Sequence, residues 1–205
     1  EAGIYGVAID IGSTTIAAHL TDLKSGVVIA SSGIMNPQIR FGEDLMSRVS
    51  YSMMNQDGDR EMTKSVREAI NVLIDDIAKQ GDISNNLILE VVFVCNPVMH
   101  HLLLGIDPVE LGQAPFALAT SDALALGTNE LDLNAMNPSA QCYILPCIAG
   151  HVGADAAAVA LSEEPGKSDD LVLIVDVGTN AELLLGNKSR VLACSSPTGP
   201  AFEGA

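Results

Sequence analysis

Tyr5-Gly6-Val7-Ala8-Ile9-Asp10-Ile11-Gly12-Ser13-Thr14-Thr15 and Leu171-Val172-Leu173-Ile174-Val175-Asp176-Val177-Gly178-Thr179-Asn180 share one construction. Each is an apolar run suited to a buried strand, followed by Asp, one more residue, Gly and hydroxyl or amide residues. The glycine lets the backbone turn sharply, and the polar side chains bond to nearby backbone groups. A single Asp-x-Gly-Ser/Thr is weak evidence, because Asp opens ordinary β-turns. Two copies after matching strands, each leading into a hairpin, point to two similar half-sites facing each other across one cleft.

The chemistry that fits such a cleft is the handling of a nucleotide polyphosphate with its metal. Oxygen ligands must hold the metal's water shell, N–H groups must meet the phosphates, and a carboxylate must orient the attacking water. Asp10 and Asp176 are the expected catalytic carboxylates and, through water, the Mg²⁺ ligands. Gly12, Ser13, Thr14, Thr15, Gly178, Thr179 and Asn180 are the expected phosphate-binding residues. This is not the P-loop solution, since Gly-x-x-x-x-Gly-Lys-Ser/Thr is absent. Neither strand is followed by a dinucleotide fingerprint.

The chain has 205 residues, of which 48% are hydrophobic but only 3% aromatic, so its core must rest on Val, Ile, Leu, Ala and Met. Its formal net charge of −16 argues against nonspecific nucleic-acid or anionic-membrane binding, which needs basic surfaces. ATP is compatible with that charge, because backbone N–H groups and Mg²⁺ can hold phosphates. No run approaches the ~18 apolar residues of a membrane span. No secretory signal opens the chain, so a cytoplasmic location is expected. Cys95, Cys142, Cys147 and Cys194 are scattered without metal-ligand spacing. They read as small buried thiols, with Cys147 before a glycine turn as the alternative, an intermolecular cluster ligand.

Residues 4–34 read as three antiparallel strands joined by tight turns. Glu43–Met54 has helical character, with Leu45, Met46, Val49 and Met53 on one side. Asp59–Lys79 is the strongest helix, with Met62, Val66, Ile70, Leu73, Ile74 and Ile77 as its apolar stripe, Asp59 as N-cap and Gly81 beyond its end. Leu87–Cys95 is a buried strand, and Asn96-Pro97 opens a short helix stopped by Gly105. Residues 105–141 have weak periodicity and read as an insertion or a lid. Cys142–Pro146 is a short strand, and Gly150–Asp155 leads into an alanine-rich helix. Three strands then repeat the opening, at Leu171–Asp176, Glu182–Leu185 and Arg190–Ser195. Gly199-Pro200 reads as the start of another helix.

The expected class is α/β, with an internal duplication. Residues 1–163 form a near-complete first subdomain, and residues 170–205 hold the opening strands and helix start of a second, so the chain reads as a fragment. His151 and Asp155 lie beside the expected cleft, where capping or packing explains them equally well. Glu182 could face the cleft or serve the hairpin, and Asn96 could touch ligand or make a turn. His100 and His101, adjacent in sequence, are expected at the surface or an interface.

The paired Asp-x-Gly motifs resemble those of the superfamily of acetate and sugar kinases, heat-shock chaperone ATPases and actin. That resemblance implies an actin-like, ribonuclease H-like fold. Asp10–Thr15 matches the first phosphate motif of the superfamily and Asp176–Asn180 the second, while its Gly-Gly-rich adenosine motif is absent. A narrower likeness rests on three blocks. They are Asn36-Pro37-Gln38-x-x-Phe41-Gly42-Glu43-Asp44-x-x-Ser47-Arg48, Asn96-Pro97-Val98-Met99-His100-His101-x-x-Leu104-Gly105 and Ser196-Pro197-Thr198-Gly199-Pro200-Ala201-Phe202-Glu203-Gly204-Ala205. These look like the reductive activators of corrinoid-dependent enzymes.

That likeness implies an ATPase that drives reduction of an inactivated Co(II) corrinoid to Co(I). It implies ATP and Mg²⁺ as cofactors and a corrinoid protein or corrinoid-dependent methyltransferase as partner. An iron–sulfur cluster is expected only in a domain outside this chain, and a homodimer stays open. The fragment alone is expected to be inactive. The alternatives are a small-molecule kinase of the same superfamily, an activator of 2-hydroxyacyl-CoA dehydratase and a noncatalytic actin-like assembly protein.

Overall fold

The computed structural model describes residues 3–178 and 180–198. The first apolar run forms β1 (Tyr5–Ile11), which continues through a tight turn into β2 (Thr15–Asp22) and then β3 (Val28–Met35). Both pairings are antiparallel, as the short connections require, with Ile11 opposite Ile16 and Thr15 opposite Met35. On its other side β1 pairs in parallel with β4 (Ile88–Cys95), which places Cys95 beside Ile11. The sheet then runs through β6 (Gln141–Ile144), parallel to β4, to β5 (Leu124–Gly127) at its edge, giving the order β3-β2-β1-β4-β6-β5.

A parallel β1–β4 pair needs a crossover, and two helices supply it. They are α1 (Leu45–Met54) and α2 (Gly58–Gln80). α2 lies against β2 and β3. All six residues of its expected stripe are buried in one continuous core with Ile9, Ile11, Val91 and Phe93. Ile77 is fully buried there. Ile77→Val should cost about 1 kcal/mol in denaturant unfolding, the usual effect of deleting one buried methyl group.

Three details differ from the sequence reading. The residue flanking α2 at its start is Asp57, left-handed at φ 61° and without a side-chain capping bond, while Asp59 lies inside the first turn. On α1, Met46 and Met53 face solvent and Arg48 is buried beside Val49. α3 (Pro97–Leu104) buries both His100 and His101 rather than exposing them. A helix this apolar all round is packed on every side, so adjacent residues on different faces are both enclosed.

Residues 105–141 add β5 to the sheet and send Leu111, Leu131, Leu133, Met136 and Ala140 into the core. α4 (Ala154–Glu163) packs on β4 and reaches β8 (Asn180–Asn187). β8 lies between β7 (Val172–Val177) and β9 (Arg190–Pro197) in a second, three-stranded antiparallel sheet. The β7-β8-β9 order repeats β1-β2-β3. The expected helix start at Gly199-Pro200 lies outside the described residues, as does Thr179.

Candidate functional site

β1 and β4 end side by side, and the first Asp-x-Gly turn forms at that carboxyl end, where ligands of α/β sheets gather. The Gly12 N–H donates to the Thr15 carbonyl at 2.9 Å, closing the turn. A Cβ at Gly12 would stand 2.7 Å from that carbonyl oxygen, so the close approach requires glycine. Asp10 is exposed, and Ser13 is buried within the turn.

The second glycine also donates back to the first residue of the strand that follows it, over a span one residue shorter. The Gly178 N–H donates to the Asn180 carbonyl at 2.9 Å. Each turn is also held by the residue just after the third strand of its own unit. Asn36, following β3, donates from Nδ2 to the Gly12 carbonyl at 2.8 Å. Thr198, following β9, donates from Oγ1 to the Gly178 carbonyl at 2.5 Å. The duplication therefore extends from the order of strands to the clamp on each glycine.

Asp155 and Glu182, whose roles the sequence left open, join Asp176 in one electrostatic cluster. Burial pushes the Asp155 carboxyl above its ordinary range; the Ala156 N–H, 2.8 Å away, opposes this, and Asp176 raises it further. The Glu182 carboxyl is raised to about 7, first by burial and then by Asp155. Ser195 donates to Glu182 at 3.1 Å and opposes that shift, while Asp176 adds to it. The buried Cys95 thiol, at the end of β4, is pushed well up by burial and then by Asp155, Cys147 and Asp10. Cys95 thus lies within the field of both Asp10 and Asp155.

Glu182 gives a pH prediction for the nucleotide-free protein. A carboxyl with a raised folded pKa binds more protons folded than unfolded, so stability falls as pH rises from about 4.5 to about 7. Allowing for solvent screening of a half-buried group, Glu182→Gln should recover about 1–2 kcal/mol at pH 8 and little at pH 4. Thermal melts across that range check it. Equal pH slopes for variant and parent would rule it out.

The first glycine turn rests on a buried polar network. Asn36, Gln38 and Arg48 are all fully buried. Asn36 Oδ1 accepts from the Gln38 N–H at 3.0 Å, and Gln38 Nε2 donates to the Met62 carbonyl at 2.9 Å. Arg48 Nη2 donates to the Ser13 carbonyl. Asn96 is the N-cap of α3 and accepts from the Met99 N–H at 3.0 Å. Met99 Sδ in turn lies 3.2 Å from Arg48 Nη1. The first two family blocks therefore meet behind the turn. Sequence reading picked out these blocks but not this role, because the burial of Arg48 depends on partners far away in the chain.

His151 is exposed, its ring 4.2 Å from that of Phe116. Its neighbour Gly153 brings α4 close to β4, as a Cβ there would stand 2.5 Å from the Cys95 carbonyl oxygen. His101 is bound at both ring nitrogens, to the Pro97 carbonyl and the Ala119 N–H, which accounts for its burial. Cys95, Cys142 and Cys147 are buried free thiols, as expected, whereas Cys194 is exposed. Among the described residues no three His, Cys, Asp or Glu side chains form a direct metal cage. No helix among them is long and apolar enough to cross a membrane.

Residues 5–166 match the family described as the RACo middle region. Residues 170–205 match the C-terminal domain of RACo, the ASKHA domain. The chain is 34% identical over 205 residues to the corrinoid activation enzyme RamQ of Eubacterium limosum, covering 100% of this chain and 34% of that protein. It is 24% identical to the [Co(II) methylated amine-specific corrinoid protein] reductase of Methanosarcina barkeri, covering 98% of this chain and 37% of that protein. A solved reductive activator for corrinoid, iron-sulfur protein superposes with a TM-score of 0.95 at 37% identity, over 100% of this chain and 32% of that one. The chain spans about a third of the length of these relatives. With both RACo regions matched in order along an α/β fold, the chain belongs to the RACo family.

Proposed function

We propose that this chain contributes the phosphate-binding side of an ATP-dependent reductive activator, which returns an inactivated Co(II) corrinoid protein to Co(I). The observation that carries the reading is the pair of glycine turns clamped alike, with Asp10 and Asp176 at their strand ends and Asp155 and Glu182 beside them. Gly12, Ser13, Thr14 and Thr15 would hold phosphate oxygens on one side, and Gly178, Thr179 and Asn180 on the other, through backbone N–H groups and hydroxyls.

The acidic cluster fits a hydrated Mg²⁺. Asp176 raises the proton affinity of Asp155, and both raise that of Glu182, so a cation among them relieves the repulsion. They do not form a direct cage, which suits a cation that keeps several of its waters. Bound Mg-ATP supplies a phosphoanhydride bond whose hydrolysis can be coupled to an uphill electron transfer. Asp10 and Asp176 would hold the cation's water shell and orient the attacking water. The electron itself comes from outside this chain, from an iron–sulfur centre elsewhere in the full-length protein. ATP binding would favour one arrangement of the two half-domains, and that preference drives the redox partners into a productive complex.

The partner is a corrinoid protein or corrinoid-dependent methyltransferase, and the free buried thiols suit a reducing, cytoplasmic compartment. The test uses the full-length protein with an electron donor and a Co(II) corrinoid protein. The cobalt absorption should shift from Co(II) to Co(I) only with ATP, and the corrinoid protein should stimulate ATP hydrolysis. Transfer of phosphate to a small acceptor, with no change in the cobalt spectrum, would favour a kinase and overturn the proposal. Light scattering on the same preparation reads whether two copies pair.

A further inference from the structure

The Arg48 side chain is fully buried, yet it has no ion pair among the described residues. Its guanidinium fork is spent on neutral groups. Nε donates to the Gly42 carbonyl at 3.0 Å, Nη1 lies 3.4 Å from Gln38 Oε1 and 3.2 Å from Met99 Sδ, and Nη2 donates to the Ser13 carbonyl. The carboxylate with a noticeable field on it is Asp44, which is exposed and occupied as the N-cap of α1. Arg60 and Arg67, by contrast, pair with Asp57 and Asp132.

A buried charge without a counter-charge is costly, and neutral hydrogen bonds offset only part of that cost. Burial lowers the Arg48 pKa to about 10, which leaves it charged at neutral pH. Hydrogen bonding alone does not explain a cation here, because uncharged donors could fill the same positions without the desolvation penalty. The charge does have one outlet. It lies directly behind Ser13, in the first glycine turn, at the carboxyl end of β1. Asn36 and Gln38 complete the support, holding Gly12 from the same side.

We infer that Arg48 is a positioning residue for the anion at the first glycine turn. It fixes the Gly12–Ser13 backbone from behind and supplies a buried positive charge that the bound polyphosphate neutralises. The inference rests on the phosphate-site reading above. It goes further by assigning a charge that never touches the ligand and by predicting which ligands feel it. The effect must grow with ligand charge, so it acts more strongly on ATP than on ADP. By reciprocity, nucleotide binding must also stabilise the network.

The test measures equilibrium binding of MgATP and MgADP to the full-length protein carrying Arg48→Met or Arg48→Lys. Arg48→Met should weaken MgATP on the order of 10- to 100-fold, the scale of removing one buried charge that acts on the anion through space, and MgADP by less. The preference for ATP over ADP therefore shrinks. Arg48→Lys keeps the charge but not the fork, and should restore most of that preference while absolute affinity stays below wild type. A purely structural Arg48 would instead lower both affinities by one factor and leave the preference unchanged, which would overturn the inference.

Gln38→Glu covers the case in which Arg48→Met does not fold. It places an internal counter-charge against Arg48 and should also shrink the preference; an unchanged ratio overturns the inference equally. A wild-type protein that binds neither nucleotide overturns the phosphate-site reading and this inference with it. Wild-type binding with unchanged ratios in the variants overturns this inference alone.

Discussion

Asp10→Ala and Asp176→Ala in the full-length protein are each expected to abolish corrinoid-stimulated ATP hydrolysis, a loss of at least about 100- to 1000-fold, the scale of removing one group that stabilises a transition state. Both residues stand at strand ends next to a glycine turn, and both are exposed. Exposed positions of this kind usually change stability by roughly 0.5 kcal/mol or less, so melting should stay close to wild type. Activity and fold therefore separate. Asp155 and Glu182 share a field with Asp176, so on the proposed reading the loss of Asp176 would weaken the cluster's hold on a hydrated cation. Steady-state phosphate release and a thermal melt on the same samples decide the matter. Normal turnover in both variants would remove the assignment of the two turns as phosphate motifs.

Gly153→Val is expected to cause the largest loss of stability of any change discussed, about 3 kcal/mol or more, or to prevent folding outright. An added Cβ would meet the Cys95 carbonyl oxygen at 2.5 Å, the Asp155 Oδ1 at 2.6 Å and the Asn96 Cα at 2.7 Å. Two of these are backbone atoms of β4 and the start of α3, so neither can swing aside. Overpacking of this kind ordinarily costs about 1–3 kcal/mol, and a branched side chain against fixed backbone lies at the upper end. The site should suffer as well, because α4 carries Asp155 and would be pushed off β4. Gly153→Ala should do less damage in the same direction. Denaturant unfolding of both variants measures the effect, and wild-type stability of the valine variant would refute the packing argument.

Much of this architecture is legible from local pattern. The α2 stripe from Met62 to Ile77 is buried at all six expected positions, because a long amphipathic helix has one face that can meet the sheet. The two Asp-x-Gly strands, their hairpins and the α/β class follow from short apolar runs and tight turns. Reading failed where the decisive partner is distant in sequence. Period-three and period-four spacing put Met46 and Met53 on the inner face of α1, yet the site there demands a donor for the Ser13 carbonyl. Arg48 supplies it across a separation of 35 residues. His100 and His101 were misplaced because adjacency argues for different helix faces, which decides exposure only when one face meets water. α3 is enclosed on all sides.

The sequence by itself determined the duplicated strand–turn motif, the helices between the copies and the family blocks. Each of these is a local run of residues whose spacing or order carries the information. Only the tertiary structure decided where the first two blocks meet, gathering Asn36, Gln38, Arg48 and Met99 behind one glycine turn. It also decided that Asp155 on α4 and Glu182 on β8 share a field with Asp176. Such relations arise when elements far apart in the chain pack to bury apolar surface. That packing brings charges and hydrogen-bond partners together with no trace in local periodicity.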